Sequence, residues 1–217
     1  MKRVVLLILP AFLLWSCYPA GPEYVEDLDV VYTTFDKAYD FQAAGNGDAT
    51  YTYAMPDQIV VDAERDEGLG EWVPEYMLPA FADPILAQIE ENMEALGWTR
   101  LVNDIDGNPD PAADVVLTPA ALSSTTYFYS YWYDWWYGGW YGGWYGWYYP
   151  PYYTVSSYTT GSMILVISDP NVGSPTNQTQ AAWIAVGNGL FTGYYEIDRA
   201  LDAVDQSFAQ SPYLKVN

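Results

Sequence analysis

Residues 83–97 read Asp-Pro-Ile-Leu-Ala-Gln-Ile-Glu-Glu-Asn-Met-Glu-Ala-Leu-Gly. An acidic residue followed by proline is a helix-start signal, because proline at the first helical position lacks only an N–H that would find no partner there. Ile85, Leu86, Ile89, Met93 and Leu96 then recur at helical spacing and define one apolar face. Gly97 stands where a left-handed C-terminal cap belongs. The pattern predicts a helix over Asp83–Leu96, with an earlier start near Pro79 left open. It needs an apolar partner surface.

The flanking segments supply one. Leu28–Phe35 and Thr50–Met55 are rich in β-branched and aromatic residues and read as strands, separated by the Gly45-Asn46-Gly47-Asp48 turn. Asp62–Pro74 reads as a charged loop. Ala113–Ala121 and Tyr158–Ser168 read as buried strands, Asp169-Pro170-Asn171 as a turn, and Ala181–Gly187 as the returning arm of a hairpin. Ile197, Ala200, Leu201, Val204 and Phe208 mark a last amphipathic helix closed by Pro212. The expected fold is α+β: a mixed or antiparallel sheet with two amphipathic helices packed on one face.

The N-terminus has a different logic. Lys2 and Arg3 precede the apolar run Val4–Leu13, and Leu14-Trp15-Ser16-Cys17 forms a lipoprotein cleavage box. The run is shorter than the ~20 residues a bilayer span needs, and the charged start, short apolar core and small residue before the cut match a signal peptide. Cys17 is the sole cysteine, so it is read as the lipidation site and first mature residue, which also excludes an intramolecular disulfide. Residues 1–16 are then signal peptide, 17–26 a tether and 27–214 one domain. Losing Lys2 and Arg3 leaves five of seven bases against 28 acids, a net charge of −23. Nucleic acid is excluded as a partner, since phosphate backbones demand clustered Lys and Arg. The expected location is the cell envelope, on the outer membrane of a Gram-negative bacterium, because Tyr18 rather than aspartate follows the cysteine.

Tyr127–Tyr153 is foreign to the rest. Its centre, Gly138-Gly139-Trp140-Tyr141-Gly142-Gly143-Trp144-Tyr145-Gly146-Trp147, repeats a Trp-Tyr-Gly unit, and Asp134 is its one charge. Trp132, Trp135, Trp136, Trp140, Trp144 and Trp147 are candidate contacts. Three readings stay open: a low-complexity insertion outside the folding core, a segment at the membrane headgroup level, where indole and phenol satisfy both an apolar ring and a polar tip, or a surface for an envelope protein or a glycan.

Chemistry is constrained by what is missing. The chain has no histidine, which removes imidazole bases, Ser-His-Asp and Cys-His arrangements and histidine-bearing zinc sites. No phosphate-binding glycine motif occurs. No cofactor is expected, and the chain is read as a non-enzyme. The alternative is a carbohydrate-binding or carbohydrate-processing envelope lipoprotein using the aromatic stretch, with no carboxylate pair distinguishable by sequence. Asp104, Asp106, Asn108 and Asp110 alternate like the oxygen ligands of a calcium loop, but Gly107 falls at the fourth position and Val115 occupies the twelfth. An acidic turn into the following strand is the preferred reading.

Several short motifs recur in a telling order: Asp27-Leu28-Asp29-Val30-Val31-Tyr32, Asp40-Phe41, Tyr53-Ala54-Met55-Pro56-Asp57, Asn92-Met93-Glu94-Ala95-Leu96-Gly97-Trp98, Asp114-Val115-Val116 and Thr159-Thr160-Gly161-Ser162. Together with the lipobox, and with aromatic runs ahead of the Thr-Gly strand, they resemble the bacterial lipoprotein family called domain of unknown function 4136, in its Bacteroidetes-type members. The likeness covers most of residues 24–214. It implies an envelope lipoprotein without an established activity, so no catalytic residue carries over.

Overall fold

A computed structural model describes residues 30–45, 50–65, 72–103, 109–110, 112–122, 161–173, 179–191 and 197–216. Among them eight strands form one mixed sheet: β1 Val30–Phe35, β2 Tyr51–Ala54, β3 Val60–Arg65, β4 Trp72–Tyr76, β5 Trp98–Arg100, β6 Val115–Leu122, β7 Ser162–Gly173 and β8 Thr179–Asn188. Their order is β1-β8-β7-β6-β2-β5, and β3 joins the other part of the β6 edge, carrying β4. β6, β7, β8 and β1 are mutually antiparallel, whereas β2 runs parallel to both β5 and β6. Two helices, α1 Pro79–Ala95 and α2 Ile197–Ala209, complete the α+β fold.

Both helices cover the same face. Ala82, Ile85, Leu86, Ile89 and Met93 of α1 and Ala200, Ala203, Val204 and Phe208 of α2 are buried. They share one core with Val115, Leu117, Met163, Leu165, Ile167, Trp183 and Ala185, the alternate residues of β6, β7 and β8. Between the helices, Gln88 Nε2 and Asn92 Nδ2 each donate to Asp205 Oδ1 at 2.7 Å.

The C-terminal segment closes this core. Trp98 Nε1 donates to the Leu214 carbonyl at 2.8 Å, and Trp183 Nε1 to Ser211 Oγ at 2.8 Å. Both indoles are buried, so each N–H needs a partner. Tyr213 stacks on Phe35 with ring centroids 3.9 Å apart. The Val216 N–H reaches the Leu96 carbonyl beside Gly97. Gly97 has φ +96°, and a Cβ there would lie 2.8 Å from the Val216 carbonyl oxygen, so the predicted cap also lets the C-terminus in.

Two expectations change, one open bound is settled and one strand is new. The helix begins at Pro79, one turn before Asp83, which makes Pro84 an interior residue. Pro79 satisfies the first-position rule equally well, and Pro84 lies near the helix start on the exposed side, where the unbonded carbonyl one turn back reaches water. Asp62–Pro74 is not simply a loop, since β3 and β4 pair across it. Asp169-Pro170-Asn171 continues β7 instead of turning; past Ser168 that strand has left β6, pairs irregularly with β8 alone, and can accommodate a proline. The three-residue β5 was not anticipated. Truncation of Ile89, at the centre of the shared core, should destabilise the protein by about 2–4 kcal/mol in chemical denaturation of Ile89→Ala. A loss under about 0.5 kcal/mol, the usual range for surface positions, would contradict this packing.

Candidate functional site

Cys17, Trp132, Trp135, Trp136, Trp140, Trp144, Trp147, Asp104, Asp106 and Asn108 lie outside the described residues. Asp110 is described. Its Oδ1 accepts the Ala112 N–H at 2.8 Å and its carbonyl accepts that of Ala113, which is a turn leading into β6. Among the described residues no group of three or more Asp, Glu, Cys or His could hold a metal ion. No helix among them is long and apolar enough to cross a membrane.

What is described is the platform from which the aromatic stretch departs. Leu122, the last residue of β6, pairs with Ser162, the first of β7. Ser162 Oγ donates to Asn188 Oδ1 at 2.9 Å, and Asn188 pairs with Val30. These four residues make one row across β6, β7, β8 and β1, at one end of the sheet. The chain therefore enters the sheet from its N-terminal segment at the same end where residues 123–160 leave and return. Three strand spacings separate the two points, roughly 14 Å. Gly161, with φ +84°, makes the return: a Cβ there would sit 2.4 Å from the Phe191 carbonyl oxygen, and the Phe191 N–H donates back to the Gly161 carbonyl.

Strand alternation gives the sheet a second face. Ile164 and Val166 of β7 and Ile184 and Val186 of β8 form a separate apolar cluster, each between 1% and 7% exposed. Val116, Thr118 and Ala120 extend it on β6, and Thr34 and Tyr32 on β1 by register. This row of residues carries no charge.

A buried polar cluster lies at the opposite end of the sheet. Asp114 Oδ2 accepts from both the N–H and the hydroxyl of Thr52 at 2.8 Å, while Thr52 Oγ1 accepts the Asp114 N–H at 3.1 Å. The exchange pins the start of β6 to β2. Asp169 Oδ2 accepts the Tyr39 hydroxyl at 2.7 Å. Burial, the hydrogen bond to Asp169 and the nearby carboxylates of Asp169, Asp114 and Asp40 raise the Tyr39 phenol well above its ordinary value. Beside β5, the Arg100 guanidinium reaches Glu90 at 2.7 Å, Asp57 at 2.6 Å and the Met55 carbonyl. The nearby Tyr53 hydroxyl is buried without a partner among the described residues, and burial, with Glu90, raises it too, against the opposing effect of Arg100. Sequence reading missed these clusters as sites, although three motifs used for the family resemblance contribute to them. Asp40 caps the short 3-10 helix Phe41–Ala43, Tyr53–Asp57 packs and pairs around Arg100, and Asp114 ties two strands. Their observed role is scaffolding.

An α+β domain on one mixed sheet, with two α-helices among the described residues packed on one face, is thus the class that the architecture defines. The model of the family described as domain of unknown function DUF4136 matches residues 31–213, and this chain belongs to that family. A DUF4136 family protein from Bacteroides thetaiotaomicron, of known crystal structure, is 33% identical, with 86% of this chain and 97% of that one covered and a TM-score of 0.63. PelC from Paraburkholderia phytofirmans, solved as a dodecamer, aligns over 87% of this chain and 99% of its own at 13% identity and a TM-score of 0.39, a likeness too loose to carry assembly across. No curated protein matches.

The two raised tyrosines set an alkaline limit. In the unfolded chain each ionises near ~10, while in the folded protein the phenols hold their protons. The unfolded state then binds fewer protons, so their contribution is complete below that pH and is lost as pH rises above it. Tyr39→Phe and Tyr53→Phe should each flatten the decline in stability above about pH 10. At neutral pH they should differ: Tyr39→Phe removes a donor to a carboxylate and lowers stability by about 1–3 kcal/mol, whereas Tyr53→Phe deletes an unsatisfied hydroxyl and leaves stability unchanged or higher. Denaturant titrations at pH 7 and above pH 10 test both.

Proposed function

We propose that this protein is a lipid-anchored component of the cell envelope, held on the outer membrane through acylated Cys17, with a non-catalytic binding or structural role. Its aromatic segment meets the membrane interface or an envelope partner. The supporting observation is the shared end of the sheet. Val30, where the tether arrives, and Leu122 and Ser162, where the aromatic segment is rooted, belong to one row. The segment between Cys17 and Val30 extends roughly 40 Å at most, at ~3.3 Å per residue. A domain anchored by that tether can turn the same end, and with it the aromatic roots, toward the lipid surface. Trp and Tyr suit that depth, where the ring leaves water and the polar tip keeps it. With a net charge of −23 after removal of residues 1–16, the mature chain gains nothing from anionic headgroups, so acyl chains and aromatic rings supply the contact.

Cys17→Ala should leave the protein unlipidated and released by mild washing of membranes. Retention equal to wild type would reject the anchor. In the Cys17→Ala background, excising Gly138–Tyr149 removes Trp140, Trp144 and Trp147. Binding to lipid vesicles, followed by the blue shift of tryptophan emission, should weaken, while unfolding stays cooperative because β6 and β7 pair directly along Val116–Leu122 and Ser162–Ser168. Undiminished vesicle binding would sink the interface reading.

A further inference from the structure

Leu214, Lys215 and Val216 lie against their neighbours as an extended ligand lies in a groove. The main chain is met at each residue in turn. Buried Trp98 Nε1 donates to the Leu214 carbonyl at 2.8 Å, Gln42 Nε2 donates to the Lys215 carbonyl, and the Val216 N–H donates to the Leu96 carbonyl at 2.9 Å. Side chains alternate as they do along a strand. Leu214 and Val216 are 0% and 3% exposed, whereas Lys215 between them, with φ −65° and ψ 127°, faces solvent. Ahead of these residues, Tyr213 stacks on Phe35 and Ser211 Oγ accepts the Trp183 indole N–H. Main-chain hydrogen bonds combined with pockets for alternate side chains are how protein domains recognise extended peptides. We infer that the seat of residues 211–216 is a peptide-binding site for a Leu-x-Val segment, filled here by the chain's own strap and able to take the same strap from a second copy.

The seat is built for a peptide. Gly97, with φ +96°, forms part of its wall, and a Cβ there would lie 2.8 Å from the Val216 carbonyl oxygen and 3.2 Å from Val216 Cγ2. Trp98, 2% exposed, has a buried indole donor that needs an acceptor, and the backbone carbonyl at position 214 supplies it. The groups that read the main chain come from the loop end of α1, from β5 and from the 3-10 helix Phe41–Ala43, so they stay in place whichever chain the segment belongs to. The strap joins α2 through Ala209 and Gln210, both exposed, so the chain can be redirected there without uncovering the core. A second copy is the occupant these features favour. Its strap reproduces every contact of the resident one, which makes exchange of an identical element low in cost. A foreign segment has to match the Leu214 and Val216 pockets and the stacking of Tyr213 as well.

Full-length chains in the soluble Cys17→Ala background test it, in about 150 mM salt, where repulsion between acidic copies is screened beyond roughly 8 Å. Leu214→Ala weakens the resident strap by roughly 30-fold or more. The peptide Ser-Pro-Tyr-Leu-Lys-Val-Asn, residues 211–217, then competes at about 1 mM with a tethered segment whose effective concentration is of millimolar order. The Tm of the Leu214→Ala protein should rise with peptide concentration, by about 5 °C near 100 times Kd. The same peptide bearing Leu214→Asp should leave it unchanged. Should Leu214→Ala not fold alone, Val216→Ala, which removes less, takes its place. A Tm that ignores the wild-type peptide overturns the inference. For the second copy, the Leu214→Ala protein is mixed with a Gly97→Ala chain, which has a sound strap and a blocked seat and presents that strap whether or not it folds. Light scattering should show a complex of one copy of each. Rescue by the peptide without such a complex would overturn the second copy as the occupant and assign the seat to a segment of another protein.

Discussion

Met163-Ile164-Leu165-Val166-Ile167 is apolar at every position, and in an extended strand successive side chains point to opposite faces. That run imposes the main constraint on the molecule: its central strand has two faces to keep from water, and the described helices cover one. On the helix side, α1 and α2 pack over Leu165, Ile167, Trp183 and Ala185, and the polar contacts between the helices converge on Asp205. On the other side, among the described residues, stand aliphatic side chains, two threonines and Tyr32 at the β1 edge, flanked by the roots of the aromatic segment. A strand of this pattern suits a sheet covered on both sides better than the one-sided arrangement common for antiparallel sheets.

The polar groups of the interior are arranged to hold strand ends. Asp114 and Thr52 exchange hydrogen bonds where β2 meets β6 in parallel, a pairing with no hairpin to set its register. Arg100 gathers Glu90, Asp57 and the Met55 carbonyl around the other side of β2. These exposed or half-exposed ion pairs add little energy each, about 0–1 kcal/mol. Their contribution is geometric. It gives the Asp-Phe, Tyr-Ala-Met-Pro-Asp and Asp-Val-Val motifs of this chain a scaffolding role.

The helices and central strands were legible because period and burial agree in them: Ile85, Ile89 and Met93, or Leu165 and Ile167, are spaced as they pack. β3 and β4 were hidden because Glu64, Arg65 and Pro74 belong to an outer hairpin, where charge and a missing N–H are tolerated on an unpaired edge. The continuation of β7 through Pro170 was hidden for a related reason, since only one neighbour remains there to be hydrogen-bonded. α1 starts early because two prolines satisfy the same rule and only the burial of Ala82 separates them. The polar clusters bring together residues as distant as Tyr39 and Asp169, and local spacing holds no trace of such pairs. Cys17 and the six tryptophans of residues 127–153 remain sequence readings, because they lie outside the described residues.

Residues 211–216 fill the floor of the helix-side core and provide the acceptors for both buried indoles. Without them, Trp98 and Trp183 have donors facing an unfinished interior, and the left-handed bend at Gly97 has no carbonyl above it. Sheet and helices therefore lock together only once this segment is seated, so that loosening six residues at one margin loosens the whole helix-side core.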